Sequence, residues 1–323
     1  MIISKKQTDL SVGDTDFPVV DVLLAIHNGS KFIREQLDSL VTQRDVKINL
    51  FVGFDDVDED SEAIITELKS GFQSIKRYYF LNVGVDENFS RLLQESRSKY
   101  IATCDQDDIW LEDHLIKSIR LMIPDHPSLI FSQLAEFSSE STKVRIWPIL
   151  KKNQIPSFSI FENVARGCTQ VMNSHARDLI LSVVRPHSIP RDWWFYSVVH
   201  HRDGVRFLPE VTVKYRLHES NLIGADRRFR RRLSRFSKNK LHRSFTIAGE
   251  LRFQFRNYPS TNSSKKLNIL VEGLDGSFFT RLKVTFCMKE KFRSDFLMDI
   301  VLRAILFFSE RGNLRNNRSN ETK

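Results

Sequence analysis

Between residues 19 and 123 the hydrophobic pattern passes from strand to helix period four times, and this alternation narrows the fold more than any other feature. "VVDVLLA" (19–25) is a near-continuous aliphatic and β-branched run, the pattern of a strand buried on both faces. After the turn "HNGS", the stretch "KFIREQLDSLVTQ" (31–43) sets Phe32/Ile33, Gln36/Leu37 and Leu40/Val41 at helical spacing. The unit then recurs. Strand "VKINLFVGF" (46–54) precedes helix "SEAIITELKSG" (61–71), closed by Gly71. Strand "KRYYFLN" (76–82) precedes helix "ENFSRLLQES" (87–96), and strand "KYIATC" (99–104) precedes "LEDHLIKSIRLMI". Four such units predict an α/β fold, Rossmann-like, with a mainly parallel central sheet flanked by helices. Ligands of such sheets gather beyond the carboxyl ends of the strands. The polar segments "HNG", "DDVDED" and "DQDD" all fall at that edge.

Beyond Pro124 the pattern changes. "SLIFSQLAEFSS" (128–139), "VRIWPIL" and "GCTQVMN" (167–173) read as strands, and "DWWFYSVVHH" (192–201) as a helix with an aromatic first turn. "VRFLPEVTVKYRLH" (205–218) reads as two short strands around Pro209. This half predicts a mixed sheet built against the first.

Several classes are disfavoured. Cys104, Cys168 and Cys287 are widely spaced with no CxxC, which argues for a reducing compartment and against a disulfide framework or a zinc site. "MIISKKQTDLSVGDTD" has no apolar run after its charges, so no signal peptide is expected there. The longest apolar stretch, "FLMDIVLRAILFF" (296–308), is shorter than a membrane span and contains Asp299 and Arg303. The formal net charge of +9 is local: residues 226–256 hold eleven Lys or Arg against Asp226 and Glu250, which accounts for the whole surplus.

Three motifs could carry chemistry. "CDQDDIW" crowds Asp105, Asp107 and Asp108 at the end of a strand. A hard divalent cation such as Mg²⁺ or Mn²⁺ takes a few carboxylate oxygens plus substrate phosphates, and such a cluster suits it. The alternative is a solvated acidic turn that caps the next helix. "DDVDEDSEAIITE" mimics a calcium loop, but Ser61 stands where the turn glycine is needed and a strand precedes it. Asp55 or Asp56 is better read as a strand-end acid for a base or ribose, followed by helix-capping acids. In "RDWW", Asp192 is either an N-cap or a carboxylate in a partly apolar pocket, suited to general-base work. His218 ends a predicted strand.

Taken in order, "LLAIHNGSKFIREQLDSL", "FDDVDED", "NVGVDENFSRLL", "CDQDDIW", "GCTQVMN", "RDWW" and "YRLHESNLIGA" resemble family 2 glycosyltransferases of the GT-A fold, in the rhamnosyltransferase-like branch, over residues 18–225. The resemblance implies a metal-dependent inverting transfer from a nucleotide-sugar donor, dTDP- or UDP-linked, to a hydroxyl of a saccharide or lipid-linked acceptor. Surface polysaccharide synthesis is the implied context. Asp105-Gln106-Asp107 matches the family DxD, so Asp107 becomes the expected metal ligand, with Asp105 towards the ribose and Asp108 shaping the donor site. Ala25, His27, Asn28, Asp55, Asp56, Asn88 and Gln106 are expected around the nucleotide sugar, Asp56 at the nucleobase. Asp192 matches the acceptor-side base, and His218 a histidine that reaches the metal or diphosphate in some relatives. The sequence departs from the family at Ile26-His27, at Val57-Asp58 and at Arg191, where histidine is usual. The expected organisation is an extension (1–17), the GT-A domain (18–225) and a basic helical region (226–323).

In that last region Phe229, Leu233 and Phe236 share a helical face, and Leu241 and Phe245 continue the apolar series. A cytoplasmic protein lying on an anionic membrane surface would use such a helix. The alternatives are a helix packed on the domain and, less in keeping with the rest, nucleic-acid binding. "FFTRLKVTF" with 296–308 forms a second membrane-facing candidate. Two rival functions stay open. A nucleotidyltransferase would usually bring a Gly-rich loop after the first strand, where "AIHNGSK" has one glycine. A basic adaptor on a degenerate scaffold would not need Asp105, Asp107 and Asp192.

Overall fold

Alternate residues of the first strand face opposite sides of the sheet, and both sides are covered. β1 (Val19–Ile26) sends Leu23 and Ala25 into one buried cluster and Val22, Leu24 and Ile26 into another. This explains its unbroken apolar run. The structure, a computed structural model, describes residues 17–80, 82–138, 141–150, 154–217 and 238–309.

β1, β2 (Lys47–Phe54), β3 (Ser74–Tyr79) and β4 (Tyr100–Asp105) are parallel neighbours in the order β3-β2-β1-β4. Their connections are α1 (Ile33–Val41), α2 (Glu59–Glu67) and α3 (Val85–Glu95). Beyond β4 the sheet continues through β8 (Val171–Asn173), β6 (Leu129–Ser138), β9 (Val205–Arg216) and β5 (Ile109–Trp110), with β7 (Ser141–Trp147) paired to β6. β8 is antiparallel to both β4 and β6, and β9 is parallel to β6, so this half is mixed.

β9 corrects the expectation of two strands around Pro209. It is one strand whose register against β6 jumps from Ser132↔Leu208 to Gln133↔Val211. Pro209, which has no N–H to donate, sits in the resulting bulge and leaves the ladder intact on either side.

α1, α2 and α4 (His114–Arg120) cover one face of the sheet, through Ile33, Leu37, Leu40, Ile65 and Leu115. α3, α5 (Ser174–Leu181) and α6 (Arg191–His201) cover the other, with Phe89, Ile180, Trp194 and Phe195 fully or nearly fully buried. The same cluster takes in the C-terminal helices α7 (Lys238–Gln254), α8 (Asn262–Asp275) and α10 (Phe296–Phe308). α9 (Phe278–Leu282) continues through a π-helical turn to Cys287. Phe245 is buried in that core and Leu241 packs on it, so these two residues do not face a lipid surface. Phe229, Leu233 and Phe236 lie outside the described residues. No helix among the described residues is long and apolar enough to cross a membrane.

Candidate active site

The carboxyl edge of the sheet is drawn together by backbone–side-chain bonds. Ala25 stands in register with Gly53 on β2 and Asp105 on β4, which aligns the ends of three strands. Gln106 receives the His27 N–H at Oε1 and donates Nε2 to the His27 carbonyl, each at 2.9 Å. Its amide therefore fastens the β1 loop to the acidic turn. The His27 side chain is exposed beside Asn28, whose φ is 49°.

Asp55 and Asp56 separate. Asp55 is buried and accepts the N–H of Val83 at 2.7 Å and of Gly84 at 3.1 Å, strapping the loop that leads into α3. Asp56 is exposed, its carboxylate accepting the N–H of Val57 at 2.7 Å. Of the acids that follow, Asp58 caps α2 through the Ser61 N–H and also takes the Gly29 N–H at 2.9 Å. Burial works to raise the Asp58 pKa, but the bonds from Ser61, Gly29 and Ser30 outweigh it and hold the pKa low. Between these loops opens a cleft of about 320 Å³, lined by Asn28, Ser30, Val57, Asp58, Glu59 and Asp60. Asn88 is buried beneath, donating Nδ2 to the Gly53 carbonyl at 2.8 Å. A Cβ on Gly53 would fall 2.0 Å from Asn88 Oδ1, so this approach needs glycine.

The acidic turn has three different carboxylates. Asp105 is half-buried, and its pKa rises to about 6: burial is the main cause, Arg191 opposes it, and Asp107 and Asp192 push further up. Asp107 is half-buried at the head of the turn. Asp108 is fully buried, accepts the Arg216 N–H at 3.1 Å and is hydrogen-bonded by the Cys168 thiol. Among the described residues, Asp105, Asp108 and Cys168 bring one potential ligand atom each within 4.8 Å of one another. Burial holds both the Asp108 carboxyl and the Cys168 thiol well above their ordinary pKa values. A soft thiol and a carboxylate already engaged by the Arg216 N–H make a poor cage for a hard ion, and this trio reads as the support of the turn. Asp107 with Asp105 is the better donor pair: oxygen-only and partly open.

Sequence reasoning missed Arg216. From the end of β9 it donates Nε to the Asp107 carbonyl and Nη2 to Glu35, both at 3.0 Å, with its guanidinium over Phe32 and Phe137. Its place two residues before His218 in "YRLHES" was the available signal. His218 itself lies outside the described residues.

Asp192 stands in the first turn of α6, half-buried. It accepts the Trp193 N–H at 2.7 Å and Asn163 Nδ2 at 2.9 Å. Burial raises its pKa, against the pull of Arg191 and these two donors. Asn163 is a second residue sequence reasoning did not single out. Asp192, 87 positions from Asp105, contributes to the elevation of the Asp105 pKa.

A strand-end acidic turn facing a helix-borne carboxylate across a parallel-to-mixed sheet is the GT-A glycosyltransferase architecture. Residues 21–173 match the family model "Glycosyl transferase family 2". The match takes in a little under half of the chain, and with the relatives it shows a glycosyltransferase. It is 26% identical over 249 residues to the dTDP-rhamnosyl transferase RfbG of Shigella flexneri, covering 68% of this chain and 81% of that protein. The fold resembles that of S. aureus TarS 1-349 in complex with UDP-GlcNAc, with a TM-score of 0.56 at 11% identity, over 89% of this chain and 80% of that one. It also resembles the mannosyltransferase PcManGT from Pyrobaculum calidifontis in complex with GDP-Man and Mn²⁺, with a TM-score of 0.50 at 11% identity, over 94% and 77% of the two chains. Some relatives are longer: the match spans 57% of the uncharacterized protein Rv1520 of Mycobacterium tuberculosis and 43% of the longer TarS chain.

Proposed function

We propose that this glycosyltransferase is an inverting enzyme that moves a hexose, rhamnose or another, from a dTDP- or UDP-sugar to a hydroxyl of a saccharide or lipid-linked saccharide. The setting we propose is surface polysaccharide synthesis of the O-antigen type. The observation that carries the reading is that Gly167 and Cys168 touch both acids: a Cβ on Gly167 would lie 3.5 Å from Asp192 Cβ, and the Cys168 thiol lies within 4.8 Å of an Asp105 oxygen. The likeness to RfbG supports the donor class, and the nucleotide-sugar complexes of TarS and PcManGT support the chemistry.

In this reading the cleft beside Asn28 and Asp58 receives the nucleoside, with exposed Asp56 near its base and Asp105 towards the ribose. Asp107, with Asp105, would hold Mg²⁺ or Mn²⁺, and the charge on those oxygen donors fits such an ion. A divalent cation there supplies positive charge for a diphosphate leaving group. The acceptor hydroxyl is a weak nucleophile near neutral pH. Asp192 takes its proton as the oxygen attacks the anomeric carbon from the face opposite the nucleotide, which inverts that carbon. The Asn163 and Trp193 donors fix one orientation of the Asp192 carboxylate for that transfer.

The membrane-facing part of the reading moves away from α7. Phe278, Phe279, Leu282 and Phe286, with Phe296, Leu297, Ile300 and Phe308 of α10, are exposed, and ring contacts join Phe278 and Phe286 to Phe307. This aromatic surface supports a peripheral position on the cytoplasmic face of a membrane, where a lipid-linked acceptor would be found.

Turnover of a panel of dTDP-, UDP- and GDP-sugars with Mn²⁺ tests the function. Sugar release or transfer from one donor class supports it. Nucleotidyl transfer in place of sugar transfer moves the chain to another chemistry, and nucleotide-independent vesicle or RNA binding with no turnover leaves an adaptor.

A further inference from the structure

Arg191 is a buried cation whose hydrogen-bonding capacity is not filled. It is 4% exposed, and its Nε and Nη1 have no hydrogen-bond partner among the described residues. The guanidinium lies 3.7 Å from the centre of the Phe89 ring and fits against Gly167, where a Cβ would come within 2.5 Å of Nη2. The backbone around it is fixed. The Arg191 N–H is held by Asp86 at 3.1 Å, and the Gly167 carbonyl accepts Thr103 Oγ1 at 2.6 Å. Thr103 is two residues before Asp105, Cys168 belongs to the cluster that includes Asp105 and Asp108, and Asp192 is the next residue along α6. The guanidinium thus stands between the acidic turn and the base.

A guanidinium stays charged in a protein, and two buried donors without acceptors are costly. Asp105 and Asp192 feel its charge, yet the hydrogen bonds of Asp192 go to Asn163 and Trp193. Among the described residues these N–H groups are left open to an anionic acceptor. A guanidinium fork matches phosphate oxygens. Resting on the transferase reading, we propose that Arg191 binds the sugar-side phosphate of the donor's diphosphate and keeps hold of it as the leaving group departs. Where the family usually has histidine, this chain would carry a permanent positive charge beside the breaking bond, in addition to any charge supplied at Asp107.

The test uses the full chain and titration calorimetry with dTDP, UDP, dTMP and UMP, with and without Mn²⁺. Arg191→Met is expected to weaken the preferred diphosphate by about tenfold or more, also without metal, while the monophosphate changes little. Arg191→Lys should recover part of the loss. Gly167→Ala keeps the arginine but displaces its fork, and should repeat the selective loss should Arg191→Met not fold. Equal diphosphate affinity in a folded variant overturns the proposal. So does an equal loss of mono- and diphosphate, which marks a merely structural residue. A wild-type protein that binds none of the four nucleotides sinks the transferase reading itself, and this inference with it.

Discussion

The backbone N–H of Arg216 donates to Asp108 at 3.1 Å across 108 positions of sequence, and its side chain donates to the carbonyl of the neighbouring Asp107 at 3.0 Å. The end of β9 thereby sets the shape of the acidic turn, and Glu35 on α1 anchors the other side of the guanidinium. Arg216→Ala is expected to cost about 1–2 kcal/mol, since it removes one bond to a buried turn and one to a carboxylate. Transfer activity should fall by more than that stability loss explains, because the donor carboxylates lose their common frame. Urea unfolding beside an activity assay checks this. Glu35→Ala, which leaves both bonds to the turn in place, should be nearly silent, and an equal effect would show that the ion pair alone mattered.

Asp107→Ala should lower transfer by about three orders of magnitude and erase the response to added Mn²⁺. The fold should survive, because the side chain is only half-buried and the turn is held by Asp108 and Arg216. A metal titration of activity decides it. Retained Mn²⁺ stimulation in the variant would assign the ion to other ligands.

Asp192→Asn should reduce turnover by about 10²–10⁴ while donor affinity stays within about twofold. The pH profile adds an independent reading. Burial, opposed by Arg191, raises the Asp192 pKa above 3.8, and a base works only when ionised. Activity should therefore fall as pH drops, with an acid limb above the ordinary carboxylate range. Arg191→Met removes the opposing charge and should move that limb to higher pH. A limb that stays in place in this variant would separate Asp192 from the observed titration.

The strand–helix alternation was legible because hydrophobic period is a local property: Val22, Leu24 and Ile26 announce β1 without knowledge of their partners. Pro209 misled because a bulge depends on the facing strand, and nothing within residues 205–218 shows that β6 lets the register jump. At the sheet edge the residue types were legible but their uses were not. Asp55 and Gln106 are expected at the ligand, and the structure adds that they also hold the backbone at Val83, Gly84 and His27. A carboxylate that straps a loop and one that meets a ribose look alike in sequence. Leu241 and Phe245 teach the same lesson for the basic region, since an apolar stripe suits a lipid surface or a protein core equally well.

His200 and His201 predict how stability responds to acid. Burial is the main cause that pulls both imidazoles down from 6.5 to about 4. Below 6.5 the unfolded chain binds protons that the folded one refuses. Stability is therefore full above that pH and declines as pH falls towards 4, by roughly 2 kcal/mol per histidine at pH 5. Urea midpoints at pH 7 and pH 5 measure the slope. His200→Gln keeps a donor for the Pro156 carbonyl, 3.2 Å from His200 Nε2, and should flatten the slope by one histidine's share.

The aromatic surface of α9 and α10 carries the last prediction. Phe279 and Phe308 are 78% and 81% exposed, at the rim of a cluster in which Phe278 and Phe286 lie 5.3 and 5.5 Å from the Phe307 ring centre. Exposed Lys283 and Lys289 flank it. Moving such side chains into an interface yields roughly 1.5–3 kcal/mol each at full burial, and each nearby lysine adds about 1 kcal/mol on an anionic bilayer. The wild-type chain should therefore sediment with anionic vesicles at low salt. Combining Phe279→Asp with Phe308→Asp should cut that binding at least tenfold. Both side chains point to solvent, so the urea midpoint should not move, and transfer to a short soluble acceptor should persist. Charge-only binding would survive the double substitution and vanish with salt, and that result would transfer the membrane contact from this surface to the basic residues.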